Sequence, residues 1–381
     1  MKAAIYSGSF DPVTNGHLDI IKRGAAAFDK LYVVVGTNPT KKYLFSLHLR
    51  VNFLRNLTKD IPNVEIVSLG NRLLVDYAYE NNLKHIIKGV RNNQDFDYER
   101  NMHEVNATQR RGIETHIFIS RPELSHISSS AVKELSKHHG IVHEYVPMAV
   151  KQALEYANKQ VIIGLTGVIA SGKSTLMKEV KSSFLFNPQV FHVDLDKLAH
   201  ELLMTDTTPL AQSLRDEVRL RFKLKYFMPN DPIDRKELGD KVFGNPKELG
   251  ALYKVRQEMS KAKDSRIIVL DGALLAEAGL LFLCNNNVLI TSAKCGEIQK
   301  RLLARGLTLD QCERRVKSQY SFEQKMKIVQ DRIQKDGCGY VTAVETNQPC
   351  PYIKHIFNHW DCEFNTFCRK NIDQNPDSKY S

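Results

Sequence analysis

Short apolar runs alternate with stretches of helical period along the first half of the chain. Residues 3–7 are apolar and of strand length, and Leu18, Ile21, Ala25 and Phe28 then recur at helical spacing. Residues 31–36 (LYVVVG) are rich in β-branched side chains and predict a parallel strand buried on both faces. Ser46 stands where it would cap a helix through Leu47, Val51 and Leu54. Residues 64–67, 85–88 and 115–119 predict three further strands with helical segments between them. Strand and helix in regular turn imply a doubly wound parallel sheet. A last helix and a short join run from Pro147 to about Gln160, and at Val161 the alternation starts again with VIIGLTG, a loop and a helix. Later strands are expected at 190–193, 266–271 and 287–291, and charged helices at 294–305 and 308–320. The fold class is α/β, with one doubly wound domain over residues 1–158 and a second over 159–338. From about Gly339 the periodicity fades, so 339–381 reads as a weakly structured tail ending in NIDQNPDSKYS. The halves share a sheet type but no motif, so they are not a duplication.

Composition narrows the classes without choosing among them. The chain has 381 residues, 42% hydrophobic and 25% charged, which suits globular domains and excludes fibrous or disordered ones for the bulk of it. No apolar run reaches the ~18 residues of a membrane span. The first apolar stretch is broken at once by Gly8, Asp11 and Pro12, too early for a secretion signal, so a cytoplasmic protein without a membrane partner is expected. Lys and Arg number 54 against 43 Asp and Glu, a net charge of +11, which asks for anionic partners without naming them. All 7 cysteines lie at or after Cys284, a distribution that argues against a disulfide scaffold.

Two loops carry candidate chemistry. The first, Gly8-Ser9-Phe10-Asp11-Pro12-Val13-Thr14-Asn15-Gly16-His17, follows the first strand and opens the first helix. In open α/β sheets ligands sit outside the carboxyl ends of the strands. Gly16 permits close backbone approach, and His17 stands where helix N–H groups favour an anion. Thr14 and His17, three residues apart, can converge on one phosphate, an arrangement suited to nucleotidyl transfer.

With GSFDPVTNGH, NPTKK at 38–42, IIKGVRNNQDFDYE at 86–99 and ISSS at 127–130, residues 1–158 resemble bacterial-type phosphopantetheine adenylyltransferase, the penultimate enzyme of coenzyme A synthesis. The resemblance implies that Ser9 and Phe10 line the shared substrate site and that His17 contacts the reacting phosphate of ATP. It implies that Lys41 and Lys88 hold the phosphate of 4′-phosphopantetheine and the migrating charge, and that Leu74 touches the pantetheine arm. Gly89, Val90, Arg91 and Glu99 would bind ATP, as would Leu124, Ser125, His126, Ile127, Ser128, Ser129 and Ser130. The family usually has Arg where this chain has Lys88, which keeps the charge and loses the bidentate fork. Members are commonly hexamers, so self-association through this domain is expected.

The second loop, Gly167-Val168-Ile169-Ala170-Ser171-Gly172-Lys173-Ser174, fits G-x4-G-K-[ST] between a strand and a helix, the context a P-loop requires. Its N–H groups would cradle nucleotide phosphates, Lys173 would reach the β and γ oxygens, and Ser174 would hold Mg2+. Asp194 ends the strand at 190–193; it is either the base for an attacking hydroxyl or a helix N-cap. Asp271 ends an apolar strand and is a candidate for the Mg2+ shell. Of the helical arginines 301, 305, 314 and 315, one or two could form a lid over ATP.

With GLTGVIASGKST, VDLDKLAHELL, PIDRKELGDKVFGNP, LDGALLAE, and QKRLLARG followed by RRVKSQ, residues 161–337 resemble dephospho-coenzyme A kinase, which phosphorylates the ribose 3′-hydroxyl of dephospho-CoA. The resemblance implies ATP contacts from Gly167, Ala170, Ser171, Gly172, Lys173, Ser174 and Thr175. It makes Asp194 the base or hydroxyl-orienting residue, Arg305 the best lid residue, and Asp234 and Arg235 part of a substrate-facing segment. This half departs from the family pattern. Val168 and Ala170 replace glycines, the His-Pro pair expected near 258–261 is absent, and Ala273 replaces a proline. The usual Ala-Asp and Asn-Gly survive only as Gln330-Asp331 and Asp336-Gly337.

The product of the first reaction is the substrate of the second, so the joint expectation is a bifunctional enzyme acting on ATP, 4′-phosphopantetheine and dephospho-CoA. The alternative is an adenylyltransferase whose degenerate kinase half serves regulation or assembly. A nucleic-acid partner is not expected, because two sites for anionic cofactors account for much of the basic charge. In the tail, His355, His359, Cys362 and Cys368 lack the close cysteine pairs of a structural zinc site.

Overall fold

The computed structural model describes residues 2–38, 40–70, 72–108, 112–182, 190–222, 249–262, 265–347, 364 and 366–367. Asp234, Arg235 and the tail residues His355, His359, Trp360, Cys362 and Cys368 lie outside them. The chain divides into two units, Met1–Asn158 with Glu363–Ser381, and Lys159–Cys362.

In the first unit the elements run β1 (Ala3–Gly8), α1 (Asn15–Ala27), β2 (Lys30–Gly36), α2 (Leu47–Leu57), β3 (Val64–Gly70), α3 (Leu74–Glu80), β4 (His85–Val90), α4 (Asn93–Thr108), β5 (Glu114–Ile119), α5 (Ser129–Lys137) and α6 (Met148–Ala157). The five strands are parallel, in the order β3-β2-β1-β4-β5. The β-branched run in β2 is explained by its two covered faces. Val33 and Val35 join the cluster of Ala4, Ile21, Leu54 and Val150, while Val34 joins Ile5, Tyr77, Ala78 and Ile86 on the other side. Strand order reverses at β1, which pairs with both β2 and β4, and this opens the crevice where such sheets bind ligands.

In the second unit β6 (Val161–Gly167), α7 (Lys173–Ser182), β7 (Val190–Asp194), α8 (Leu195–Met204), α9 (Pro209–Phe222), α10 (Leu249–Met259), β8 (Ile267–Asp271), β9 (Asn287–Ser292), α11 (Cys295–Leu303), α12 (Leu309–Lys317), α13 (Phe322–Asp336) and β10 (Tyr340–Glu345) follow in turn. The parallel sheet has the order β10-β9-β6-β8-β7. Central β6 is buried at every position. The weakly structured tail expected from Gly339 begins later, since β10 pairs with β9 along its whole length. It is an edge strand, and only Val344 of its six residues is buried, so it lacks the apolar run that betrayed the inner strands.

Candidate active sites

The first loop closes on itself through α1. Thr14 is the N-cap: its hydroxyl accepts from the His17 N–H at 3.3 Å, and the His17 ring returns to the cap by accepting at Nδ1 from the Thr14 N–H at 3.0 Å. A backbone N–H can only donate, so Nδ1 is the bare nitrogen and Nε2 carries the proton. Burial first, and the Arg91 guanidinium second, push the imidazole down to about 4. His17 is therefore a neutral donor at physiological pH. Phe10, expected to line the shared substrate site, keeps its ring away from the surface. It is 1% exposed, and its ring stands edge-on to His17 at 5.1 Å and to Tyr6 at 5.5 Å, so it backs the imidazole.

A cleft of about 340 Å³ opens beside His17. Its walls bring together Thr14, Gly16, His17, Gly89, Arg91, Glu99, Leu124, Ile127 and Ser128–Ser130, residues from four separate stretches of sequence. Tyr6, Ile20, Asp95, Tyr98 and Ser120 line it as well, and sequence reasoning assigned none of these. The amino end of α5 belongs to this wall; Ser128 caps it by accepting from the Ala131 N–H, and Ser129 Oγ donates to the Pro12 C=O at 2.8 Å. Arg91 is held as a fork by Asp95, at 2.8 and 3.1 Å. Lys88 is half-buried in β4 and ion-paired at 3.2 Å with Glu99, and it is not itself among the lining residues. Ser9, Lys41, Leu74, Val90, Ser125 and His126 are not among the lining residues either. Lys41 is exposed on the loop after β2, Leu74 starts α3 packed against the core, Val90 is buried, and His126 leans edge-on to Tyr145.

A buried polar scaffold lies beneath these loops. Asp11, 3% exposed, accepts from the Leu44 and Phe45 N–H groups at 2.9 Å each and from Lys133 Nζ at 3.0 Å. Arg50, 1% exposed, donates from Nη1 to the carbonyls of Ser9 (2.6 Å) and Gly36 (3.1 Å) and from Nε to that of Phe45 (3.2 Å). The two residues tie the loop bearing Lys41 to the one bearing His17. Nothing in the local spacing of Arg50 announces this.

The second loop forms at the carboxyl end of β6. Gly172 has φ +98°, and a Cβ there would come within 3 Å of Thr346, so no other residue fits. Ala170 lies in the same left-handed region at φ +60°. Among the described residues no acceptor meets the N–H groups of Gly172, Lys173 and Ser174, while the Ile169 N–H donates to Gln319 Oε1 at 2.8 Å. Lys173 Nζ folds back on the Gly167 carbonyl at 3.5 Å. Ser171 is buried and its hydroxyl meets that of Thr291 at 2.6 Å; Ser174 and Thr175 are exposed. Arg301, rather than Arg305, reaches this loop. It donates to the Ala170 carbonyl at 3.1 Å and to the Thr346 carbonyl at 2.8 Å, whereas Arg305 is exposed.

Of the two openings left for Asp194, the structure takes the capping one: Oδ1 accepts from the Lys197 N–H at 2.8 Å and starts α8. Asp196 instead interacts electrostatically with Lys173 and Asp271, and its Oδ2 accepts from the Ala273 N–H at 3.2 Å. Its partial enclosure raises its pKa, against the pull of Ala273 and Lys173. Asp271 is 6% exposed, and its Oδ1 is buried without a hydrogen-bond partner among the described residues, which fits a cation ligand. Sequence reasoning also missed Lys325, whose side chain is fully buried between Glu277 and the Ala273 carbonyl. Asp336-Gly337 is the stop of α13, with Gly337 in the left-handed conformation.

Residues 5–135 match the cytidylyltransferase-like family and residues 161–339 match dephospho-CoA kinase. The phosphopantetheine adenylyltransferase of Caldanaerobacter subterraneus subsp. tengcongensis is 49% identical over 154 residues, 40% of this chain and 96% of that protein. Among solved structures, TT1252 from Thermus thermophilus is 23% identical, over 54% of this chain and 97% of that one, with a TM-score of 0.35. NadR in complex with NAD and AMP-PNP is 14% identical, over 94% and 95%, with a TM-score of 0.32; at such scores neither likeness speaks to function. Through its N-terminal unit the chain belongs to the phosphopantetheine adenylyltransferase family, and residues 161–339 carry a dephospho-CoA kinase domain.

Proposed function

We propose that the protein catalyses the last two steps of coenzyme A synthesis, one in each unit. In the first, a phosphate oxygen of 4′-phosphopantetheine attacks the α-phosphorus of ATP, giving dephospho-CoA and pyrophosphate. The observation that carries this reading is the locked tautomer of His17. Its Nε2–H is a fixed, neutral donor beside the amino end of α5, where negative charge on a five-coordinate phosphorus would be stabilised. Lys41 and Lys88 supply positive charge to the phosphates.

In the second unit the amides at 172–174 and Lys173 hold the phosphates of ATP, and the 3′-hydroxyl of dephospho-CoA attacks the γ-phosphorus, breaking its bond to the β,γ-bridging oxygen to give CoA and ADP. Asp196 is the better candidate to orient that hydroxyl and take its proton. Asp194 is committed to its cap, while the raised pKa of Asp196 makes it the stronger base. Ser174 and Asp271 would hold Mg2+, which when bound neutralises charge on the β- and γ-phosphates. Arg301 braces the loop. Self-association is supported by α4, where exposed Met102 and Val105 stand about one turn apart on one face.

The two-site reading is tested by mass spectrometry of products. His17→Ala should lose dephospho-CoA formation by ~10²-fold or more and still phosphorylate supplied dephospho-CoA. Lys173→Ala should accumulate dephospho-CoA. Loss of both reactions in either folded variant would refute the assignment. No CoA formed by the unaltered protein from dephospho-CoA and ATP would favour the regulatory reading of the second half.

A further inference from the structure

Asp271 is flanked by a relay that the proposed mechanism does not use. His192, on β7, lies next to β8 in the sheet, and its Nε2 is 3.3 Å from Asp271 Oδ2. On its other side, His192 Nδ1 is 3.1 Å from Lys181 Nζ, near the end of α7. The ammonium of lysine can only donate, so Nδ1 must accept, and the ring proton must sit on Nε2. Nε2–H then donates to Asp271 Oδ2. That satisfies one carboxylate oxygen and holds the group in a single rotamer. The other oxygen, Oδ1, is left buried with its lone pairs unmet among the described residues. A buried acceptor without a donor is costly unless a cation or its water meets it. Asp271 stands at the carboxyl end of β8, beside β6 and hence beside the start of the phosphate loop.

We infer that His192, oriented by Lys181, is a positioning residue that fixes Asp271 so that its unpaired oxygen serves as a ligand to the divalent cation of the kinase site. Asp271 without its histidine partner loses the contact that orients Oδ2. Partners of this kind behind a ligand are worth roughly 10–100-fold in metal affinity. The inference rests on the proposed role of Asp271 as a cation ligand, and the experiment separates the two.

The full chain is titrated with Mn2+ in the presence of ADP, and free Mn2+ is counted by electron paramagnetic resonance. Asp271→Asn should remove one binding component, which defines the site in the second unit. His192→Val should weaken that component by about tenfold or more, with thermal melting showing that the variant is folded. His192→Gln, whose side-chain amide can still donate to Oδ2, should stay within about threefold of the unaltered protein. Unchanged Mn2+ affinity in His192→Val, or an equal loss in His192→Gln, would overturn the positioning role and leave Asp271 as a ligand. If Asp271→Asn removes no component, Asp271 is not a ligand and the inference falls with it.

Discussion

His17 shows how one side chain is tuned by the turn that carries it. An ordinary imidazole takes its proton near 6.5, whereas His17 does so only near 4, because burial and Arg91 penalise the cation. Between these values the unfolded chain binds the extra proton. Stability is therefore fully present above 6.5 and is lost as pH falls towards 4, by on the order of 3 kcal/mol in all. NMR titration of the imidazole should give a midpoint of about 4; one at about 6 or above would contradict the buried, neutral donor. Ala170 is a residue of the opposite kind, placed where its conformation is unfavourable. At φ +60° it carries strain that the family's usual glycine avoids, while its methyl packs with Leu302 and Cys312. Ala170→Gly should change stability by less than about 1 kcal/mol, since relief of strain offsets a lost methyl of ~0.8 kcal/mol. Ala170→Val, β-branched at positive φ, should cost about 2 kcal/mol or more. Urea unfolding of the two variants followed by circular dichroism checks both.

At the scale of elements, the sites are made by strand ends and helix starts. The capping box of α1 joins Thr14 and His17 across one turn, which is why their spacing alone was informative. The loop after β8 works differently, by linking distant parts. Ala273 donates its N–H to Asp196, and its carbonyl accepts from Thr166 Oγ1 at 3.1 Å and from Lys325 at 2.7 Å. Alanine in place of the family's proline therefore matters here: a proline would have no N–H to offer. Ala273→Pro should raise the Asp196 pKa further above the ordinary carboxylate value, because a contact that lowers it is gone. The acid limb of the kinase pH–rate profile should move to higher pH; an unmoved limb would remove Asp196 from the proton-transfer role. Strand β10 was hidden in the sequence by its exposure, yet it supplies Thr346 just beyond its end, whose hydroxyl donates to the Ser171 carbonyl and so closes the phosphate loop.

For the whole molecule, the first unit leaves Met102 and Val105 bare on α4 at 37% and 54% exposure, apolar side chains about one turn apart that a second copy would cover in a self-associated form. Val105→Glu should shift the protein to a smaller species in analytical ultracentrifugation and leave kinase activity on supplied dephospho-CoA unchanged; an unaltered sedimentation coefficient would show that this face is not the contact. The sequence by itself determined that there are two α/β units and where the candidate phosphate loop of each begins. Those features are local, since a strand, a glycine-bearing loop and a helix start must be contiguous to work, and so they survive as readable strings. Only the tertiary structure decided which charged residues stand behind the turns. Arg50 meets Ser9 from 41 positions away, Lys325 meets Ala273 across 52, and Arg301 meets Ala170 across 131. It also decided that Asp194 caps α8 while Asp196 meets the Ala273 N–H, and that Arg301 rather than Arg305 meets the Ala170 carbonyl, pairs that stand close together in sequence. Such choices depend on which way each side chain faces once the sheet is closed, and hydrogen bonds between distant strands set that direction.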